Sequence, residues 1–185
     1  MGPLDRYLFE QWNSVPDRAA IPFKFLSTGL EIWWVRVLLL IYVGWLIYAP
    51  QSRKAGLLSI SLWPLANGLT DVLKHTWPMH RPIDEPVNLI LRVGESHSAG
   101  TASAHAANMI FIAWVMTRYL PSHALAWFII SFLVGCSRVI VGAHFPSQVF
   151  LGWFCGTIAA AAVIGVEHWI SNRKKKASER LPTAV

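Results

Sequence analysis

Three cations, a serine hydroxyl and two histidines, all suited to phosphate chemistry, lie in three short segments of this sequence. The segments lie at positions 74–82, 101–105 and 137–144. Their cations include Lys74, Arg81 and Arg138. Arginine binds phosphate through a planar fork of N–H groups, and lysine binds it as a point charge. These residue types therefore indicate a site for a phosphate-like anion.

Two histidines in the same segments could supply a nucleophile and an acid. Gln148 follows His144 by four residues, so on the first turn of a helix its amide oxygen can reach the imidazole. If that oxygen accepts from Nδ1–H, Nε2 is left as a free nucleophile. His105 is then available as a general acid for the leaving oxygen. Ser103 and Ala104 open a predicted helix, whose free N–H groups and dipole favour an anion.

Five apolar stretches position these segments. They run over residues 30–49, 55–73, 102–120, 123–142 and 145–170. Each approaches the roughly 20 apolar residues that a membrane-spanning helix needs. Hydrophobic residues make up 54% of the 185 and charged residues only 14%, against about 25% charged in an average soluble protein. The sequence therefore predicts an all-α integral membrane bundle with about five transmembrane helices.

Two further segments flank this bundle. Within residues 1–29, helical spacing of apolar side chains predicts an amphipathic helix at the membrane interface. Those side chains are Leu4, Leu8, Phe9 and Trp12. Residues 171–185 form a basic tail with Arg173, Lys174, Lys175, Lys176 and Arg180. Although the net charge is +6, a basic cluster directly after an apolar stretch favours a cytoplasmic anchor over nucleic-acid binding.

The basic residues also predict the orientation. With five crossings, Arg53, Lys54, Arg118 and the tail share one side, which the positive-inside rule makes cytoplasmic. The three motif segments then face the extracytoplasmic (periplasmic) side of the cell membrane. Four cations on that side run against the rule, and a bound anion would explain them. They are Lys74, Arg81, Arg92 and Arg138.

In their order, the patterns Lys-x6-Arg-Pro, Ser-x-His and Ser-Arg-x5-His resemble the type 2 phosphatidic acid phosphatase superfamily. The motifs cover residues 74–148, and the helical layout extends the resemblance over most of the chain. It implies a transmembrane phosphatase domain over residues 30–170 that hydrolyses a polyprenyl diphosphate or a phospholipid phosphate through a phosphohistidine on His144. His105 would be the acid, and no metal or organic cofactor is implied. The phosphate-binding residues that it implies are Lys74, Arg81, Ser103, Ala104 and Arg138.

Two positions depart from the family's usual motifs. The second motif usually reads Pro-Ser-Gly-His, whereas this chain has Ala102 and Ala104 around the serine. Gln148 stands where the family usually has an aspartate, and an amide can orient an imidazole but cannot offset the positive charge that it gains on phosphorylation. The glucose-6-phosphatase and dolichyl diphosphate phosphatase branches also carry glutamine there, so the departure does not imply a dead enzyme.

Two other functions stay open. A lipid phosphotransferase would use the same phosphohistidine and differ only in the acceptor. A lipid-phosphate binding protein would bind without turnover, with Gln148 marking the loss of activity. A metal or haem site is disfavoured because three cations would repel a cation there. The expected partners are a lipid phosphate and the bilayer, and the sequence does not predict an oligomeric state.

Several polar residues receive no single role. Asp71 and Asn67 either orient Lys74 or pack between helices. Cys136 and Cys155 lie in apolar stretches and are predicted to be buried packing residues. The remaining unassigned residues are His75, His80, His97 and Glu95.

Overall fold

The structure is a computed structural model that describes residues 1–96 and 98–179, and in these residues it is entirely helical and irregular, without strands. Seven α-helices follow one another in this part of the chain. They are α1 (Pro3–Asn13), α2 (Asp17–Thr28), α3 (Trp33–Tyr48), α4 (Arg53–Thr76), α5 (Ala104–Tyr119), α6 (Ala124–Ile140) and α7 (Pro146–Glu179). The predicted all-α fold is confirmed.

Helices α3 to α7 coincide with the five predicted spans, but they differ in length. α3 and α5 have 16 residues each, about 24 Å at 1.5 Å per residue, which is shorter than a hydrocarbon core of about 30 Å. In the described residues, two helical stretches are long and apolar enough to cross a membrane, Pro121–Ile140 and Pro146–Ser178. A third results if α2 and α3, bent by 72° at residue 32, form one broken span. The count of five crossings stays a prediction.

Helix α5 lies at the centre of the bundle. A core of small and aromatic side chains joins it to α4 and α7, including Ala66, Phe111 and Ala159. A Cβ atom on Gly152 would lie 2.4 Å from the Ser103 carbonyl oxygen. Small residues thus let the two backbones approach closely, as is typical of membrane helix pairs. This packing fixes the first turn of α5 against the first turn of α7.

The N-terminal segment forms two helices and packs directly on the bundle. Pro16 separates α1 from α2. Phe9 is fully buried, with its ring 5.1 Å from that of Phe145. The Asp5 carboxylate accepts from the Ser147 backbone N–H at 2.9 Å and from its hydroxyl at 2.6 Å. An acidic group at this place caps α7 and is favoured by the helix dipole.

At the other end of the chain, α7 continues beyond residue 170 to Glu179. The basic residues 173–176 are therefore helical, whereas Arg180 and the rest of the predicted tail lie outside the described residues, as does His97. Lys54 and Glu167 form an ion pair of 2.8 Å between α4 and α7. Both cysteines are buried free thiols, which confirms their packing role.

Candidate active site

The three motif segments meet at one end of the bundle, where α4 and α6 end and α5 and α7 begin. Gln148 links all of them. Its side-chain Nε2 donates to the His80 carbonyl at 2.7 Å, and its backbone carbonyl accepts from the Ser103 N–H at 2.9 Å. The Lys54–Glu167 ion pair lies near the start of α4 and thus at the opposite end.

The hydrogen bonds of Gln148 determine which nitrogen of His144 carries a proton. Its Oε1 accepts from the Phe145 backbone N–H at 3.1 Å, and its Nε2 faces the His80 carbonyl, so the amide has one possible orientation. The same Oε1 lies 3.1 Å from Nδ1 of His144. Because Oε1 can only accept, Nδ1 of His144 must donate. In the neutral ring, Nε2 then carries the lone pair that a nucleophile needs.

Arg81 faces that lone pair. Its Nη1 lies 3.1 Å from Nε2 of His144 and donates to the Ala143 carbonyl at 3.0 Å. Ser98 holds the rest of the guanidinium, since Nε donates to its carbonyl at 2.7 Å and Nη2 to its hydroxyl at 2.9 Å. Burial lowers the pKa of Arg81 from its ordinary value, and the Asp84 carboxylate acts in the opposite direction. Arginine nevertheless stays charged at neutral pH.

His144 itself is kept neutral by its surroundings. Burial is the largest cause that lowers its pKa well below the ordinary value, and the positive charges of Arg81 and Arg138 lower it further. The hydrogen bond that His144 donates to Gln148 acts in the opposite direction. Burial disfavours the charged form of an imidazole, and neighbouring cations add to that effect. The free site therefore presents an unprotonated Nε2 beside two cations.

Arg138 is placed by the last turn of α6 and by the N-terminal segment. Its backbone carbonyl accepts from the N–H groups of Ala143 and His144, at 3.0 and 3.1 Å, which ties the turn after α6 to this residue. Its Nη1 donates to the hydroxyl of Ser27 in α2. Among the described residues, its Nε is buried and has no hydrogen-bond partner. An unpaired buried N–H beside a predicted phosphate site fits an anion as the missing acceptor.

A small pocket lies between Arg81 and Arg138. The turn after α6 forms part of its wall, through Gly142 and Ala143. The loop before α5 forms another part and brings Glu95 to the pocket wall. Two guanidinium groups on one pocket are suited to the oxygens of a phosphoryl group.

Lys74 lies in the last turn of α4 and is held by a carboxylate. Its Nζ lies 3.0 Å from Oδ1 of Asp71, whose Oδ2 accepts from Asn67 at 3.1 Å. The structure thus favours the orienting role for both polar residues over packing between helices. Lys74 is largely buried while Asp71 is half-exposed, so the carboxylate points the ammonium along the helix.

The start of α5 contributes less than the motif suggests. Ser103 is fully buried and caps the helix, with its hydroxyl 3.5 Å from the Ala106 N–H. Its own N–H is bound to Gln148, so it is not free for a substrate. Ala104 is half-buried and His105 is exposed. The positive charges of Arg138, Arg81 and Lys74 act on His105.

The interpretation of Arg92 as an anion-binding cation is wrong. Its side chain lies 2.9 Å from the Asp17 carboxylate and donates to the backbone carbonyls of Asn13, Val15 and Ile140. All its polar contacts in the described residues are therefore structural. A cation between two helix ends and a loop satisfies carbonyl groups that would otherwise be buried unpaired.

Sequence reasoning also missed Ser27 and Ser98, which bond to Arg138 and Arg81, and the buried Asn13. Asn13 is fully buried; its amide accepts from the Ile90 N–H and donates to the carbonyls of Ile90 and Ile140. Serine and asparagine in polar stretches give no periodic or motif signal, so no pattern in the sequence could have identified them. Among the described residues, no group of three or more His, Cys, Asp or Glu side chains is arranged to hold a metal ion.

Comparison with known proteins identifies relatives over most of the chain. The sequence model of the PAP2 superfamily matches residues 55–172. An undecaprenyl-diphosphatase from Sulfolobus acidocaldarius is 29% identical over 147 residues, which are 77% of this chain and 68% of that protein.

Two solved structures share the fold. The first is that of a transmembrane PAP2 type phosphatidylglycerolphosphate phosphatase from Bacillus subtilis, with a TM-score of 0.70 and 22% identity over 90% of this chain and 86% of that one. The second is Aquifex aeolicus LpxE, with a TM-score of 0.69 and 26% identity over 89% and 96% of the two chains. At 22% identity the first comparison speaks for the fold alone.

Proposed function

Because the chain belongs to the PAP2 superfamily, we propose that it hydrolyses the terminal phosphate of a membrane lipid through a phosphohistidine on His144. Membership makes it a lipid phosphatase of the phosphoric ester hydrolase class. The observation that carries the proposal is the Gln148 contact, which assigns the proton of His144 to Nδ1 and leaves Nε2 facing the pocket cation Arg81.

In the first step, Nε2 of His144 attacks the terminal phosphorus. The bond between that phosphorus and the bridging oxygen breaks, and His105 donates a proton to the leaving oxygen. Arg81 gives up its contact with Nε2 and, with Arg138 and Lys74, stabilises the phosphoryl oxygens as charge moves onto them.

In the second step, water hydrolyses the phosphohistidine. His105, now unprotonated, accepts a proton from the water as it attacks phosphorus, and the P–N bond breaks to return the electron pair to Nε2. The products are inorganic phosphate and the dephosphorylated lipid. Gln148 keeps Nδ1–H in place during both steps but leaves the positive charge of the phosphorylated ring without a neighbouring carboxylate.

A polyprenyl diphosphate is the substrate class that we favour. The curated relative at 29% identity is an undecaprenyl-diphosphatase. The site is at the end of the bundle remote from Lys54 and from the basic residues 173–176 of α7. By the positive-inside rule, those cations face the cytoplasm and the site opens to the extracytoplasmic side of the cell membrane.

The test is phosphate release by detergent-purified protein, comparing wild type with His144→Ala. The substrates are undecaprenyl diphosphate, phosphatidic acid, phosphatidylglycerophosphate and a lipid A phosphate. His123→Ala is the matched control, because His123 is exposed at the opposite end of the bundle. We expect release by wild type and by the control, and none by His144→Ala.

A trapping experiment identifies the intermediate. Brief reaction with a substrate labelled in its terminal phosphate should leave acid-labile, base-stable label on wild type, as expected of phosphohistidine, and none on His144→Ala. Label that passes to an added lipid instead of to water would identify a phosphotransferase. Binding of substrate by folded protein without any release would identify a lipid-phosphate binding protein.

A further inference from the structure

Helix α2 lies outside the region that the family model matches, yet one of its side chains contacts the phosphate site. The match begins at residue 55, whereas α2 ends at Thr28. α2 packs across α6. From it the buried Ser27 directs its hydroxyl to Arg138, from which it accepts a hydrogen bond.

In the described residues, the Ser27 hydroxyl is the group that hydrogen-bonds to the Arg138 guanidinium. Its Nε is buried and unpaired, and the positive charge of Arg81 acts on it across the pocket. The carboxylate that acts on it is Glu31, in the short 3₁₀ turn (Gly29–Glu31) directly after α2. A guanidinium is planar and rigid, so fixing Nη1 fixes the direction of its other N–H groups.

We propose that Ser27 is a positioning residue of the phosphate site: it holds the Arg138 guanidinium so that the edge without a partner faces the pocket between Arg81 and Arg138. This inference rests on the proposed function, since it takes the pocket to be the phosphate site. It assigns to the N-terminal segment a part in substrate binding, besides its packing on the bundle.

The experiment compares Ser27→Ala with two matched variants in the full chain. Ser27→Thr retains the hydroxyl. Thr28→Ala removes the adjacent hydroxyl, which bonds only within α2, to the Lys24 carbonyl at 3.0 Å. The readouts are the Kd of inorganic phosphate by calorimetry, kcat and KM for the lipid substrate, and the Tm of each variant.

A hydrogen bond to a charged group contributes about 1.5 kcal/mol or more, which corresponds to roughly tenfold in affinity. We therefore expect Ser27→Ala to weaken phosphate binding and raise KM about tenfold, with recovery in Ser27→Thr and no change in Thr28→Ala. In an Arg138→Ala background, removal of the Ser27 hydroxyl should have no further effect on phosphate affinity.

Other outcomes separate the two proposals. Ser27→Ala that lowers Tm but leaves the Kd of phosphate unchanged would show that the residue only supports folding. An equal loss of affinity in both backgrounds would show that it does not act through Arg138. Weaker phosphate binding by Ser27→Ala, in a wild type that hydrolyses no lipid, would retain the inference and reject the phosphatase. A folded wild type that neither binds phosphate nor hydrolyses lipid would overturn both.

Discussion

The two histidines of the site lie in contrasting surroundings. His144 is 3% exposed, and each of its ring nitrogens has a polar partner, Gln148 on one side and Arg81 on the other. His105 is exposed on the first turn of α5. In the mechanism that we propose, the first environment fixes the orientation and tautomer of the nucleophile, whereas the second leaves the proton donor free to meet both a bulky leaving group and water.

This contrast has a chemical reason. A nucleophile must be aligned with the P–O bond that breaks, so misplacement by a fraction of an ångström is costly. An acid that later acts as a base must reach two different oxygens in the two steps. We therefore expect that the loss of a contact that orients His144 will lower activity more than the loss of a contact that holds a cation such as Lys74.

The largest loss among the supporting residues should follow from Gln148→Ala. Without Oε1, the Nδ1–H tautomer is no longer fixed, and in another enzyme the wrong tautomer costs about 10⁴ in kcat. Gln148→Glu retains the acceptor for Nδ1–H and adds a negative charge near the phosphorylated ring, but it loses the donor to the His80 carbonyl, so it should keep more activity than Gln148→Ala without reaching wild type. The measurement is kcat for each variant with the best lipid substrate. Equal losses in the two variants would mean that Nδ1 orientation is not the role of Gln148.

Loss of the exposed histidine should be the next largest effect. His105→Ala removes the general acid, a contribution of about 10² to 10⁴ in rate. A substrate with a better leaving group, such as p-nitrophenyl phosphate, needs less protonation and should recover part of that loss. If His105→Ala loses the same factor on both substrates, then His105 does not protonate the leaving group.

A backbone change at Gly100, beside Gln148, tests whether the surroundings of His144 are rigid. A Cβ atom at Gly100 would lie 2.8 Å from Nε2 of Gln148 and 2.9 Å from the His80 carbonyl oxygen. We expect Gly100→Ala to displace the amide and lower kcat by about 10², the size of effect that a small misplacement produces. Gly165→Ala is the control, because a Cβ atom there would have nothing within 4 Å and Gly165 lies in α7 toward the opposite end of the bundle. Similar kcat values in the two variants would contradict a rigid support.

Loss of the contact that holds Lys74 should have a smaller effect on activity. Asp71→Asn removes the charge that directs Lys74 but keeps the polar contact with Asn67, so we expect KM to rise about twofold to fivefold, equivalent to roughly 0.5 to 1 kcal/mol. The Tm should change little because Asp71 is half-exposed. If Asp71→Asn lost as much activity as Gln148→Ala, the contacts of His144 would matter no more than the contact that holds Lys74.

The pH dependence should reflect the buried position of His144. Since burial and two arginines lower the pKa of His144, this residue stays unprotonated as the pH falls through the ordinary histidine value of about 6.5. The acid limb of kcat/KM that reflects protonation of the free nucleophile should therefore lie below that value. In the unfolded chain His144 binds its proton near pH 6.5, so the stability of the folded state also decreases as the pH falls below it. Histidine NMR signals titrated in detergent would check the assignment, and protonation of His144 near 6.5 would contradict it.

Contacts close in the chain were predictable. Gln148 follows His144 by four residues, and that spacing alone indicated the contact that the structure has at 3.1 Å. Lys74 and Asp71 are likewise one helical turn apart. The spacing of apolar stretches predicted α4 to α7 to within a few residues at most ends, although α7 extends nine residues beyond the predicted end at 170.

Contacts remote in the chain were not predictable. Arg92 looked like a free cation in a polar loop, but it bonds to groups 48 to 79 residues away. Ser27 reaches Arg138 across 111 residues, and Asn13 reaches Ile140 across 127. Neither serine nor asparagine carries a pattern that distinguishes a buried support from a loop residue.

The helical class, the family resemblance and the predicted phosphate-binding residues could all be read from the sequence, because apolar periodicity and motif spacing are local properties of the chain. The hydrogen-bond partners of each cation, the tautomer of His144 and the contact of the N-terminal segment with Arg138 depend on the folded structure. The physical reason is that buried polar groups must find partners wherever packing places them. Such partners come from residues that are distant in sequence and adjacent only after folding.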